Sequence, residues 1–365
     1  MKAAIFRGEK HIELGQRPAP TIQQPTDAVV RVVRSCVCGS DLWYYRGINS
    51  HKAGSIGHEY VGVVEAVGED VQNLAVGDFV IAPFTYNDGS CPACRAGFES
   101  NCEHGGAFGD GESDGGQGEK VRAPYADATL VKVPAPADGF TDAQLASFTA
   151  LSDVMCTGYH AAVSAGVKQG DTVAVVGDGA VGLSAVLAAQ VLGAGRIIAL
   201  SRHADRQALA KEFGATDIVA ERGDDAVTAV RGLTDGAGVD AALECVGTDQ
   251  SIETAAGIVR AGGMIGAVGV PLYEKFDYKT LFWKNVGIKG GVAPARHYIP
   301  DLLQHVLDGT INPGRVFNYS TDLDHIADAY AAMDERRAIK SLLTVSQPYV
   351  RDPASAAGPH GSRNT

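Results

Sequence analysis

TVAVVGDGAVGLSAVLAAQVLG, residues 172–193, runs from β-branched residues through a glycine-rich turn into an alanine-rich helical pattern. The turn, Gly177 to Gly182, fits G-x-G-x-x-G. In that pattern Gly177 permits the tight turn, Gly179 lets a pyrophosphate approach the backbone, and Gly182 lets the helix pack close to the strand. Ala180 and Val181 fill the places between, at a helix start whose free N–H groups and positive dipole end suit a phosphate. Alone the pattern is weak, and a glycine-rich turn without a ligand is the plain alternative. Its position between a strand and a helix is what dinucleotide binding requires.

The surroundings extend this reading. TVAVV, RIIAL, DIVA, AALECV, MIGAVGV and VGIKGGV are strand candidates between residues 171 and 292, with helices such as GLSAVLAAQVLG and RQALAKEFG between them. Regular alternation predicts an α/β fold, a doubly wound six-stranded parallel sheet of Rossmann type. The second strand ends as IIALSRHADR, 197–206. An NAD site expects Asp or Glu about 20 residues after the glycines, accepting from the ribose hydroxyl. Ser201 and Arg202 stand there instead, and a hydroxyl with a guanidinium suits a 2′-phosphate that a carboxylate would repel. NADP is the cofactor expected. Arg206 is a second candidate for that phosphate, and equally readable as a solvated helix residue.

The first 135 residues read mostly as short strands, among them VVRVV (29–33), EYVGVVEAVG (59–68) and DFVIA (78–82). Residues 103–120 are polar and glycine-rich and predict a surface loop. AQLASFTALSDVMCTGYHAAV, 143–163, reads as helix, as do 298–308 and 322–335; SLLTV, 341–345, reads as a last strand. The tail 347–365 is expected outside the core. No internal repeat is present.

The bulk numbers set limits. A chain of 365 residues suggests two domains or one large one. A net charge of −12 argues against nucleic acid as the main partner. No apolar run approaches the ~20 residues of a membrane helix, and MKAAIFRGEKHIEL is too short and polar for a secretory signal. The cytoplasm is the expected compartment, where clustered cysteines bind metal more often than they pair.

Two clusters invite a metal. CGSD (38–41) and GHE (57–59) supply a thiolate, an imidazole and a carboxylate that can converge on zinc from distant places. Either is weak alone, since His58 reads as an ordinary polar residue and Cys38 as a small buried one. DGSCPACRAGFESNC (88–102) holds Cys91, Cys94 and Cys102 in C-x2-C-x7-C spacing, three of the four ligands of a closed zinc site.

With these motifs in view, residues 1 to about 346 resemble the zinc-dependent medium-chain alcohol dehydrogenase family. The likeness rests on CGSD, GHEYVGVVEAVG (57–68), the cysteine loop, DVMCTGYHA (153–161) and VGDGAVG (176–182). It implies a GroES-like, mainly β catalytic domain from 1–155 and 297–346, a Rossmann domain over 156–296, and an active site in the cleft between them. It further implies a homodimer or homotetramer built by edge-to-edge pairing of the nucleotide-binding sheets.

The same resemblance implies Cys38, His58 and Asp153 as ligands of a catalytic zinc, with Glu59 a ligand that comes and goes. Aspartate at 153 and the Ser201–Arg202 pair both match the NADP-dependent bacterial secondary-alcohol branch. Cys156 is a rival ligand out of register, and Cys36 would face away from Cys38 on a strand. Asp41 would hold the other nitrogen of His58. Zinc would lower the pKa of the alcohol, hydride would pass to the nicotinamide, and Ser40 would relay the hydroxyl proton. Relatives often finish that relay with a histidine, where this chain has Leu42, Trp43 and Tyr44; the nearest histidine is His51. Trp43, Tyr44 and Phe84 are candidate pocket walls.

Thr157, Val268, Gly269 and Val270 would line the nicotinamide, Cys245 and Val246 the adenosine, and Lys340 would reach the pyrophosphate. For each of these, core packing or a solvated charge is an equal alternative. On the family's C-x2-C-x2-C-x7-C ruler the missing first ligand of a structural zinc falls on Asp88, whose carboxylate is an acceptable donor; a decayed, empty loop is the alternative. The activity implied is oxidation of an alcohol, or reduction of an aldehyde or ketone, with NADP. Polyols, sugars, amino-acid alcohols and formaldehyde-type adducts are alternative substrates. A zinc-free quinone-reductase-like or crystallin-like protein is the alternative of another class.

Overall fold

The computed structural model describes residues 1–111, 113–272 and 277–348. Six parallel strands form one sheet in the order Asp217–Val219, Arg196–Leu200, Thr172–Val176, Val239–Glu244, Val259–Ala267, Gly287–Gly290. The chain enters in the middle and reverses its direction of travel between Thr172–Val176 and Val239–Glu244. That reversal leaves a crevice at the carboxyl ends, where the glycine turn lies.

Both faces of the sheet are covered, so the strands read as continuous apolar runs. Val173 and Val175 pack with Leu183 and Leu187 of the helix Ala180–Val191. Ala174 and Val176 face the other way, against Val230 and Ile252. Gly182 explains the close helix: a Cβ there would sit 2.0 Å from the Gly177 carbonyl oxygen. Gly177 itself has φ +120°, which glycine adopts without strain. The last strand stops at Gly290, shorter than VGIKGGV suggests, because Gly290 and Gly291 take φ of +149° and +103°.

The second unit is a mixed sheet. Its order is Val131–Lys132, Phe79–Ala82, Tyr60–Val67, Ala28–Val37, Lys340–Thr344, Phe317–Asp322, with Lys120–Ala123 also paired to Ala28–Val37. The C-terminal strand lies antiparallel to Ala28–Val37, with Ser341 opposite Val37 and Leu342 opposite Cys36. Residues some 300 apart in sequence are thereby neighbours, and Lys340 is delivered beside the end of the strand that carries Cys38.

Two expectations change. Residues 143–163 form two helices, Asp142–Leu151 and Val154–Ser164, broken at Asp153 with φ −148° and ψ −76°. The first opens on a capping box between Thr141 and Gln144. The break frees the Asp153 side chain to leave the helix line, and it turns toward Cys38. Residues 103–120 do not stay on the surface: Phe108 and Gly115 to Gly118 are buried. Glycine makes that possible, since a Cβ on Gly115 would meet the Ile56 carbonyl oxygen at 2.1 Å. Of the tail, Gln347 accepts a hydrogen bond from Arg31; residues 349–365 lie outside the described residues. Among the described residues no helix is long and apolar enough to cross a membrane.

Candidate active site and nucleotide cleft

Cys38 leaves the end of the strand Ala28–Val37, His58 and Glu59 precede Tyr60–Val67, and Asp153 stands at the helix break. Their ligand atoms lie within 4.8 Å of one another. Cys38 Sγ is 3.4 Å from Asp153 Oδ2, and His58 Nε2 is 3.3 Å from the same oxygen. Tetrahedral zinc with ordinary bond lengths needs roughly 3.5 Å for S···O and about 3.3 Å for N···O. Cys38, His58 and Asp153 therefore stand at metal-ligand spacing. Glu59 Oε1 is farther from His58 Nε2, at 4.0 Å, and Glu59 Oε2 is buried without a hydrogen-bond partner. An orphaned carboxylate oxygen beside three donors fits a cation.

The supporting shell is specific. Asp41 Oδ1 faces His58 Nδ1 at 3.5 Å, and its Oδ2 accepts from the Cys38 backbone N–H at 3.0 Å. Gln117 donates to the same Oδ2 at 3.1 Å and accepts from the Tyr330 hydroxyl at 3.0 Å. Thr157 donates to Asp153 Oδ1 at 2.7 Å, so its hydroxyl is spent on that carboxylate.

Burial alone would lower the His58 pKa, but Asp41, Cys38 and Asp153 outweigh it and hold the pKa well above the usual range. Burial likewise opposes the Asp153 charge, yet His58, Lys340 and Thr157 bring its pKa down to about 2. Burial raises the Cys38 thiol. Such a set of thiol, imidazole and carboxylates could hold a metal ion.

Lys340 does not reach toward a pyrophosphate. Its side chain is 1% exposed, with Nζ 2.6 Å from Glu59 Oε1 and donating to the Val37 carbonyl at 3.2 Å. The strand pairing forces this, because residue 340 opens the strand that lies against the one ending at Val37. The basic residue that the C-terminal segment does present to the nucleotide cleft is Arg336.

Cys156 is excluded from the cluster: its thiol is buried against the Leu151 carbonyl, 3.0 Å away. Cys36 is buried and is not part of the metal group. Ser40 precedes the short helix Asp41–Tyr45, and its side chain makes no hydrogen bond within the described residues. His51 packs on Tyr44 at 4.6 Å between ring centroids, and both its nitrogens face carbonyl oxygens, of Lys52 at 2.6 Å and Gly109 at 2.8 Å. Carbonyls only accept, so these contacts tie His51 to the loop backbone, and no hydrogen bond joins it to Ser40 among the described residues. Phe84 stands edge-on to His58 at 6.3 Å.

A second group joins Asp88, Cys91, Cys94 and Cys102. Cys91 Sγ and Cys94 Sγ are 3.5 Å apart without a disulfide, near the roughly 3.8 Å of two thiolates on one zinc. Asp88 Oδ1 accepts from the N–H groups of Ser90 and Cys91, and Oδ2 bonds His104 Nδ1 at 2.7 Å. His104 and these N–H groups hold the Asp88 carboxyl far below its usual range. Burial pushes Cys94 up to about 12.

The nucleotide cleft is a cavity of about 330 Å³ lined by Gly177, Gly179, Ser201, Arg202, Cys245 and Val246 among others. A Cβ on Gly179 would meet nothing within 4 Å, which leaves the open cradle a pyrophosphate needs. Ala180, Val181 and Gly182 open the helix behind it. Glu244 fixes the Val246–Gly247 turn, its Oε1 accepting from both N–H groups at 2.7 Å. Gly269 packs against that turn, since a Cβ there would come within 2.2 Å of the Gly247 nitrogen; Val268 is buried and Val270 exposed on either side.

Ser201 and Arg206 are otherwise engaged. Ser201 is 3% exposed and donates to Asp178 Oδ2 at 2.9 Å; Arg206 Nη1 pairs with Asp178 Oδ1 at 3.1 Å. Asp178, inside the glycine turn, thus takes the hydroxyl and the guanidinium expected at a 2′-phosphate. Burial would raise its pKa, and Arg206 with Ser201 lowers it. Arg202 keeps its guanidinium free of any ion pair within the described residues. Sequence reading passed over Asp178, Gln117, Tyr330, Arg222 and Arg336. Only the G-D-G run gave a local signal, because the others act across long stretches of chain.

The comparisons agree with this geometry. Residues 24–135 match the alcohol dehydrogenase GroES-like domain, and residues 180–308 match the zinc-binding dehydrogenase family. The zinc-type alcohol dehydrogenase-like protein AdhB of Bacillus subtilis (strain 168) is 33% identical, over 92% of this chain and 97% of its own. Alcohol dehydrogenase TADH from Thermus sp. ATN1 superposes with a TM-score of 0.88 at 36% identity, covering 95% of this chain and 100% of that one. A zinc-binding dehydrogenase of Sinorhizobium meliloti 1021, solved bound to NADP, superposes at 0.79 with 25% identity, covering 94% and 98%. The chain belongs to the zinc-dependent alcohol dehydrogenase family of medium-chain dehydrogenases.

Proposed function

We propose that this protein is a zinc-dependent alcohol dehydrogenase or carbonyl reductase that moves hydride between an alcohol and NADP. The observation that carries it is the spacing of Cys38, His58 and Asp153, at 3.3–3.4 Å through one shared carboxylate oxygen. Residues 1–155 and 297–346 form the catalytic domain in this reading, and 156–296 the nucleotide domain. A zinc held there would supply Lewis-acid polarisation of the substrate hydroxyl, and a dinucleotide on the glycine turn would supply the hydride acceptor or donor.

The chain's own residues do the rest. Cys38, His58 and Asp153 hold the metal, with Glu59 in reserve and restrained by Lys340. Asp41 keeps the His58 tautomer that leaves Nε2 free. Ser40 Oγ would take the hydroxyl proton and pass it to solvent, since no hydrogen bond links Ser40 to His51 among the described residues. Trp43, Tyr44 and Phe84 wall the substrate side; Thr157, Val268, Gly269 and Val270 line the nicotinamide. Asp88, Cys91, Cys94 and Cys102 hold a second zinc that stabilises the fold. The open edge strand Gly287–Gly290 and the exposed Phe282 and Trp283 (74%) support a homo-oligomer paired along that edge.

Support for NADP comes from Arg202, from further arginines on the same cavity, and from the Sinorhizobium neighbour. NAD has one observation in its favour, the Asp178 carboxylate beside Ser201, which offers an acceptor for a ribose hydroxyl. Initial rates with primary, secondary and polyol alcohols, using NADP and NAD before and after chelation, test the proposal. Activity with NADP that chelation abolishes and zinc restores is expected; full activity after complete zinc removal overturns the mechanism.

Metal analysis tests the second site. Two zinc per chain are expected in the wild type and about one in Asp88→Ala, since structural zinc contributes directly to folding. The thermal midpoint should fall while kcat per remaining folded molecule holds. One zinc in the wild type with Cys38 intact means that the loop is empty.

A further inference from the structure

Four guanidinium groups line the nucleotide cavity, and one of them has a carboxylate partner among the described residues. Arg206 is spent on Asp178 at 3.1 Å. Arg202, Arg222 and Arg336 form no ion pair there, although Glu221 stands on the same rim. They are close enough to feel one another: besides its burial, Arg202 and Arg336 lower the Arg222 pKa, while Asp178, already paired with Arg206, raises it. Like charges gathered on one cavity repel unless an anion sits among them.

The three come from separate parts of the fold. Arg202 follows the strand Arg196–Leu200, and Arg222 immediately precedes the helix Gly223–Leu233. Arg336 belongs to the other unit, between the helix Ile326–Asp334 and the strand Lys340–Thr344. Its φ is +60°, the left-handed region that glycine or asparagine takes more cheaply after a helix. An arginine in that conformation costs more than glycine would at the same place, and its side chain lines the cavity.

We propose that Arg336 is the catalytic domain's half of a clamp on the ribose 2′-phosphate, and that Arg202 and Arg222 are the nucleotide domain's half. This rests on the NADP reading and extends it: the phosphate is gripped from both sides of the interdomain cleft. A cofactor without that phosphate leaves Arg336 with nothing to hold. Recognition of NADP thereby ties the two domains together, whereas NAD does not.

Calorimetric binding of NADPH, NADH, 2′,5′-ADP and 5′-AMP to the wild type, R336Q and R336G tests the clamp. R336G relieves the left-handed backbone while removing the charge, so a retained thermal midpoint separates binding from folding. Both variants should weaken NADPH and 2′,5′-ADP by roughly 10–100-fold, the range of a lost charge-assisted hydrogen bond, and leave NADH and 5′-AMP unchanged. A wild type that binds NADH more tightly than NADPH overturns the cofactor reading itself. If the wild type favours NADPH but the variants bind it unchanged, or lose both cofactors alike, the cofactor reading stands and the clamp is wrong.

Discussion

Replacing Asp153 with alanine is expected to cut kcat by about 10³-fold or more, because the metal's Lewis-acid term is worth several kcal/mol. It should also lower the zinc content by about one ion per chain. Asp153 Oδ2 is the oxygen that Cys38 and His58 share, at 3.4 and 3.3 Å. Without it, Glu59 is the remaining carboxylate, and Glu59 is tied to Lys340 at 2.6 Å. Glu59 Oε2 has no hydrogen-bond partner and is the fallback donor, but the Lys340 pair on Oε1 holds the carboxylate in place, and shifting it would strain a buried ion pair.

Asp153→Cys is the informative companion. A thiolate is an equally good zinc donor, so zinc content should return with part of the activity. Cys156→Ala should leave metal content unchanged, because that thiol points to the Leu151 carbonyl. Stoichiometry by elemental analysis, with kcat on the same preparations, checks the set. An Asp153→Ala protein with two zinc ions and wild-type turnover would sink the ligand assignment.

Arg202→Asp is expected to move the ratio of kcat/KM for NADPH over NADH by at least about 10²-fold toward NADH. The guanidinium lost is worth roughly 1.5–3 kcal/mol as a charged donor, and the carboxylate gained repels the 2′-phosphate. Asp178 already stands beside Ser201 on that cavity, so a second carboxylate would make the rim acidic. Arg206→Asp should act differently, because Arg206 holds Asp178 rather than facing the cavity alone. Removing it leaves Asp178 uncompensated and disturbs both cofactors. Steady-state rates with each cofactor decide the matter, and a wild type that strongly prefers NADH removes the basis for the argument.

Some of this was readable because it is local. The six alternating strands, the glycine turn and the motifs CGSD and GHE are each written within a few consecutive residues, in spacings that backbone geometry makes meaningful. The helix break at Asp153 was not readable. An alanine-rich run predicts one helix, and no propensity signals that residue 153 leaves it to face residues 38 and 58. The buried glycine-rich stretch misled for a related reason. Its polar composition suggests a surface, but small residues also allow backbone to approach backbone, as Gly115 does at Ile56.

Lys340 and Ser201 show the limit most plainly. Both types suit a phosphate, and both are turned inward by contacts formed on folding. A strand pairing carries Lys340 to Glu59, and a carboxylate from the glycine turn captures the Ser201 hydroxyl. The sequence by itself determined the doubly wound nucleotide fold and the donor types for two metal groups, since periodicity and motif spacing are properties of neighbouring residues. The tertiary structure alone decided which charged groups remain free for a ligand. Pairing depends on distances of a few ångströms between residues far apart in the chain, and a buried charge takes whichever partner the fold brings to it.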